Sequence, residues 1–128
     1  TGRDQWYNEG QPVMRHLREF EDIHSETPSY CLFVAPRLHD DTINTFWIAV
    51  KYEYEGAKQR IIPITISELI EILEIFKTAK SQNVKIPHTK MMEFYNNCTD
   101  IGAVSNSTEW RTHIANQIAE LKNGIVSH

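Results

Sequence analysis

A carboxylate, a guanidinium and an imidazole fall near the start of the chain. Glu9 comes first, and Arg15 and His16 follow six and seven residues later, across the break made by Gly10 and Pro12. By type, these groups can ligate a metal or accept a proton, fork onto an anion, and titrate near neutral pH. Taken alone they carry little: Glu9 reads as a surface carboxylate, and His16 as a capping or packing group. A second cluster, His39-Asp40-Asp41, follows an apolar run that ends at Ala35. Loops after strand C-termini are where α/β proteins place their sites. The same triplet also serves as a helix start, because Asp side chains cap helices and complement their dipole, and that is the reading preferred here. Lys77, Lys80, Lys85, His88 and Lys90 form a basic stretch. It can meet phosphates, but it reads more simply as a solvated face whose cations complement a helix C-terminus. The chain has no Gly-rich phosphate loop, no paired Cys-x-x-Cys, no His-Glu-x-x-His and no nucleophile elbow. Those absences remove several common chemistries.

The elements that must position these groups follow from periodicity. Val13, Leu17, Phe20 and Ile23 recur at helical spacing, so a helix is expected from about Gln11, ended by Ser25 to Pro28. Proline is tolerated in a first turn, which leaves Glu9 on a short turn before the break. Tyr30 to Ala35 is a continuous apolar run closed by Pro36, the pattern of a strand buried on both faces. The stretch from Asp40 to Tyr54 fits two templates. Phe46, Ile48, Val50 and Tyr52 alternate like a strand, while Ile43, Phe46, Trp47, Val50 and Tyr54 make a helical stripe. The capping residues Asp40-Asp41-Thr42 favour helix. Arg60 to Ile64 is a second apolar run, with Pro63 expected at a strand end or an edge. Thr65 and Glu68 have capping-box spacing, and Ile66, Leu69, Ile70, Leu73 and Phe76 make a helical stripe to about Lys80. Two further helices are expected, Thr89 to Cys98 and Thr108 to Lys122, the second stopped by Gly124.

The composition is ordinary for a globular chain of 128 residues, with 41% hydrophobic and 23% charged. The formal net charge of −4 argues against coating nucleic acid through bulk charge, though a metal-dependent nuclease needs local carboxylates that lower the net charge. Cys31 and Cys98 are too few and too far apart for a disulfide framework, so an intracellular protein is expected. No apolar stretch approaches the ~18 residues of a membrane span. Strand, helix, strand, helix in short order implies a parallel pair of strands joined by a crossover. Two buried strands beside four or five helices are too little sheet for a complete α/β domain. Further strands are therefore expected upstream of Thr1, which with Gly2 does not look like a natural start.

The ordered blocks resemble a known family. Thr1-Gly2, Glu9-Gly10-Gln11-Pro12-Val13-Met14-Arg15-His16, Tyr30 to Pro36, Thr42, Phe46 and Arg60 to Ile64 are similar to the cleavage domains of type IIS restriction endonucleases and their nicking relatives, the group of AlwI, BstNBI and BspD6I. The resemblance runs from Thr1 to about Lys80. It implies a partial PD-(D/E)xK-type α/β nuclease domain, with residues 1–80 as its α/β portion and 81–128 as a helical C-terminal extension. It also implies a bacterial, cytoplasmic enzyme that hydrolyses phosphodiester bonds of double-stranded DNA. In that family the last acidic member of the site sits on a helix, ahead of a Pro-Val-x-Arg-His segment. Here that member matches Glu9, and the segment matches Pro12, Val13, Arg15 and His16. Relatives carry a second acidic residue before the proline, where this chain has Gln11, which leaves Glu9 as the acidic candidate.

The implied chemistry assigns roles. Phosphodiester hydrolysis needs an activated water, a metal that neutralises the phosphate, and stabilisation of the leaving oxygen. Glu9 would complete a Mg²⁺ shell or position a metal-bound water, with most of the ligands lying upstream of this chain. Arg15 would fork onto a phosphate, and His16 would contact phosphate or move a proton. The 128 residues alone are then expected to be inactive. The competing reading is a non-catalytic α/β-helical module for protein–protein interaction or dimerisation, served by an exposed Met91, Met92, Tyr95 and Trp110. The two readings coexist if two cleavage domains pair. A small-molecule site at His39 to Asp41 has the least support.

Overall fold

The computed structural model describes Gln5 and residues 9–126. Among them are five helices and a two-stranded parallel sheet, in the order α1 (Gln11–Ile23), β1 (Cys31–Ala35), α2 (Asp40–Lys51), β2 (Ile61–Thr65), α3 (Ile66–Ser81), α4 (His88–Thr99) and α5 (Ser107–Val126). The strands pair in the register Cys31↔Ile61 to Ala35↔Thr65, which sets Phe33 opposite Pro63. A parallel pair needs a crossover, and α2 supplies it. Its first turn carries Asp40 and Asp41 and its last turn Lys51, both favourable to the helix dipole. Burial settles the helix-or-strand ambiguity of this stretch. Ile43, Phe46, Ala49 and Val50 face inward, while Ile48 and Tyr52, which a strand would have placed beside Phe46, are exposed. Beyond α2 the chain reverses at Tyr54–Ala57, with Glu55 and Gly56 at φ of 50° and 90°, a backbone that glycine adopts at no steric cost.

No loop separates β2 from α3. Thr65 ends the strand and caps the helix: its hydroxyl accepts from Glu68 N at 3.1 Å, and Glu68 Oε1 accepts from Thr65 N at 2.9 Å. The spacing of Thr65 and Glu68 thus forms the reciprocal box it suggests. Helix α5 opens on Asn106, whose side chain accepts from Glu109 N, while Glu109 Oε2 accepts from the amide and hydroxyl of Ser105. Those two bonds hold the exposed Glu109 carboxyl below its ordinary range.

One core joins the sheet to the C-terminal helices, from Met14 to Leu121. Phe46, Ile61, Ile62, Ile64, Trp110 and Ile114 are fully buried, and Phe33 meets Phe46 edge-on at 5.0 Å between ring centroids. Helix α5 packs on α2, α3, α4 and β2. No helix among the described residues is long and apolar enough to cross a membrane.

Several expectations need correction. The α3 stripe named from sequence faces mainly outward. Ile72, Ile75 and Ala79 are the buried row, and Ile66, Ile70, Leu73 and Phe76 are exposed. Helix α1 buries Met14 and Leu17 and leaves Phe20 and Ile23 in solvent. Strand β1 is not covered on both faces, because Val34 is exposed and Cys31 and Leu32 are half-buried. Pro63 lies mid-strand, fully buried. Gly124 does not stop α5, which continues to Val126; a mid-helix glycine costs only about 1 kcal/mol against alanine. Trp110 is a core residue and not an exposed contact. Its indole Nε1 donates to the Cys98 carbonyl at 2.8 Å, which satisfies the one polar atom that burial would otherwise strand. Met91, Met92 and Tyr95 are half-buried, and Tyr95 stacks on Tyr30.

Candidate active-site segment

Glu9 and Gly10 form a wide, π-type turn that runs into α1, with Glu9 exposed and Gly10 buried. Gly10 keeps right-handed helical angles, so the turn leads into α1 without a side-chain cap, and Pro12 sits in the first turn. Proline's missing donor is harmless there, because first-turn amides lack helical partners. Three polar side chains fix this region. Gln5 pairs with the loop after β1: its Nε2 donates to Arg37 O at 2.6 Å, and its Oε1 accepts from His39 N at 2.9 Å. Buried Gln59 donates to Met14 O at 2.8 Å. Arg18 Nη2 donates to the carbonyls of Tyr54 and Ala57, the latter at 2.7 Å, while its Nη1 lies 3.5 Å from Glu21. The Glu9 turn is therefore held between a tether four residues before it and clamps along α1. The first tether reaches the loop beyond the C-terminal end of β1, where sites of α/β sheets form.

Glu9, Arg15 and His16 are all exposed. No hydrogen bond or ion pair joins them to one another among the described residues. His16 Nδ1 lies 3.6 Å from Glu19 Oε2, an exposed contact one turn along. His16 also lines the mouth of an open apolar groove of about 430 Å³ with Val13, Leu17, Phe20, Cys31 and Leu32. Arg15, about 100° around the helix from His16, does not line it. The three residues thus sit on one short, anchored segment without forming a closed site.

His39 precedes α2 with its amide taken by Gln5 and without a side-chain capping bond. Asp40, Asp41 and Asn44 line an open cleft of about 390 Å³ with Ser107, Thr108 and Arg111. Among the described residues, no group of three or more His, Cys, Asp or Glu side chains could hold a metal ion. Neither thiol suits a nucleophile. Burial raises Cys31 above its ordinary range. Cys98 is pushed up to about 12, chiefly by burial, with Arg111 opposing and Glu68 adding to the rise.

Residues that position the segment escaped the sequence reading. Gln5, Arg18 and Gln59 bond to backbone groups 32 to 45 positions away, and nothing local marks them. Glu68 was visible as a cap, but its Oε2 also accepts from Arg111 Nη2 at 2.6 Å, which ties α3 to α5.

The family model described as AlwI restriction endonuclease matches residues 1–72. The matched span holds the Glu9 turn, α1, the whole sheet and the first part of α3. No curated protein matches the chain.

Proposed function

Because the chain belongs to the AlwI restriction endonuclease family, we propose that it supplies the Glu9–His16 corner of a Mg²⁺-dependent, PD-(D/E)xK-type cleavage site that cuts double-stranded DNA in a type IIS enzyme. The observation that carries this reading is the exposed Glu9 on an anchored turn inside the matched span. A hard carboxylate oxygen suits Mg²⁺, which takes one or two protein carboxylates and completes its shell with water and substrate phosphate. A lone carboxylate is not a site, so the remaining acidic ligands belong to upstream residues. The ion, when bound, neutralises the scissile phosphate and lowers the pKa of a bound water. Glu9 holds one edge of that ion or orients the water. Arg15 approaches the phosphate backbone, where a planar fork gives paired hydrogen bonds. His16 donates a hydrogen bond to phosphate or passes a proton, at the rim of the α1–β1 groove.

The sheet supports the same reading. Parallel strands are ordinarily covered on both faces, whereas β1 leaves Val34 exposed and Leu32 half-buried. Strands preceding Thr1 would extend the sheet past β1 and close the groove beside His16. Plasmid relaxation with Mg²⁺ tests the division of labour. The 128 residues alone leave supercoiled DNA intact, and the longer polypeptide with the upstream strands cuts it. Robust cutting by the 128 residues would show that the site does not need upstream ligands.

A further inference from the structure

Helix α3 carries apolar residues on two sides. The outward row, Ile66, Ile70, Leu73 and Phe76, is 43%, 50%, 56% and 38% exposed. Steps of four, three and three keep these residues on one face, and contiguous apolar surface of this kind marks a contact site. The charges beside the row are divided along the helix. Glu71 and Glu74 lie toward its N-terminal half, and Lys77 and Lys80 toward its C-terminal end. All four are exposed, and none makes an ion pair among the described residues. Glu68 is the one acid of α3 turned inward, to Arg111. The helix dipole accounts for acids early and bases late. It does not account for an apolar row left in water between them.

We propose that this face of α3 binds the same face of a second copy of the chain, helix against helix and antiparallel, about a two-fold axis at Leu73. A two-fold contact must complement itself. A parallel pair sets Glu74 beside Glu74 and Lys77 beside Lys77, while an antiparallel pair brings the acidic half of one helix to the basic half of the other. About Leu73, each Ile70 meets Phe76 of the second copy. Helical side chains lean toward their own N-terminus. In an antiparallel pair, Lys77 of one copy and Glu74 of the other therefore lean toward each other, twice per dimer. The contact is independent of any role of Glu9, since it uses only the outer face of α3. One helix face on another is a small interface, so the dimer is weak and concentration-dependent.

Sedimentation equilibrium of the 128-residue chain at low salt tests this. The expected result is a monomer–dimer equilibrium with Kd on the order of tens of micromolar. Leu73→Asp weakens it at least ~tenfold, as loss of a central apolar anchor does, with the helical signal in circular dichroism unchanged. Glu74→Lys and Lys77→Glu each weaken it about fivefold, as exposed pairs turned repulsive do. The double exchange Glu74→Lys with Lys77→Glu returns Kd to within about twofold of the original and does not pair with the unaltered chain. If Leu73→Asp impairs folding, the charge exchange still decides. A monomer at every concentration overturns the proposal, and is the outcome expected if another segment or a different protein covers this face. A dimer indifferent to the charge exchange overturns it equally.

Discussion

Removing Arg111 is expected to destabilise the fold through Glu68, and the size of the effect can be worked from the contacts. Glu68 has two duties: Oε1 accepts from Thr65 N, and Oε2 accepts from Arg111 Nη2 at 2.6 Å. The Arg111 and Glu68 side chains are only 20% and 14% exposed, and Arg111 Nη1 is already buried without a partner. Glu68→Ala loses a cap bond, about 1 kcal/mol, and a charged hydrogen bond, about 1.5–3 kcal/mol, for a total near 3–4 kcal/mol. Arg111→Met keeps the cap but leaves a mostly buried carboxylate with one partner fewer. That costs about 1–3 kcal/mol, below the figure for a fully buried pair because some solvent reaches both groups. Urea unfolding of the two single variants and the double variant closes a double-mutant cycle. The expected coupling is about 1.5–3 kcal/mol. Thr65→Ala serves as the control, costing about 1 kcal/mol with little coupling to Arg111→Met. A Glu68–Arg111 coupling under about 0.5 kcal/mol, the value of an ordinary surface pair, would refute the claim that this contact ties α3 to α5.

Other outcomes follow from the same contacts. Cys98, raised from 9.0 to about 12, stays protonated in the folded chain while the unfolded thiol ionises. Its contribution to stability is therefore full below about pH 9 and is lost as pH rises toward 12, at no more than about 1.4 kcal/mol per pH unit. In denaturation curves across that window, Cys98→Ala should flatten the alkaline slope; an unchanged slope would count against burial of the thiol. Arg18→Ala frees the Tyr54 and Ala57 carbonyls from α1 and should raise amide exchange in Gln11–Ile23 at least tenfold, with α5 unaffected. Equal protection in α1 would show that Met14 and Leu17 alone hold it.

What could be read from the sequence was what short-range chemistry decides. Thr65 and Glu68 announced the α3 start because a capping box is a contact over three residues. Asp40 and Asp41 announced α2 for the same reason, against a competing strand pattern. The inward face of α3 was misassigned because the helix is apolar nearly all round. Ile66-Ile70-Leu73 and Ile72-Ile75-Ala79 both recur at helical spacing, and the choice between them depends on packing against α5, 43 residues away through Glu68 and Arg111. Trp110 looked like a surface anchor because its fate depended on finding the Cys98 carbonyl. In the candidate site, the order Glu9, Arg15, His16 was readable through the family resemblance. The clamps by Gln5, Arg18 and Gln59 were not, since their acceptors are carbonyls that any sequence carries.

The most direct test is Glu9→Gln in the longer polypeptide with the upstream strands, a change that keeps size and hydrogen bonding but removes the charge. Nicking of supercoiled plasmid in Mg²⁺ should fall at least ~100-fold, with DNA binding in Ca²⁺ and the unfolding midpoint unchanged. Cleavage within about twofold of the original would contradict the placement of Glu9 in the metal site and return it to an ordinary surface carboxylate.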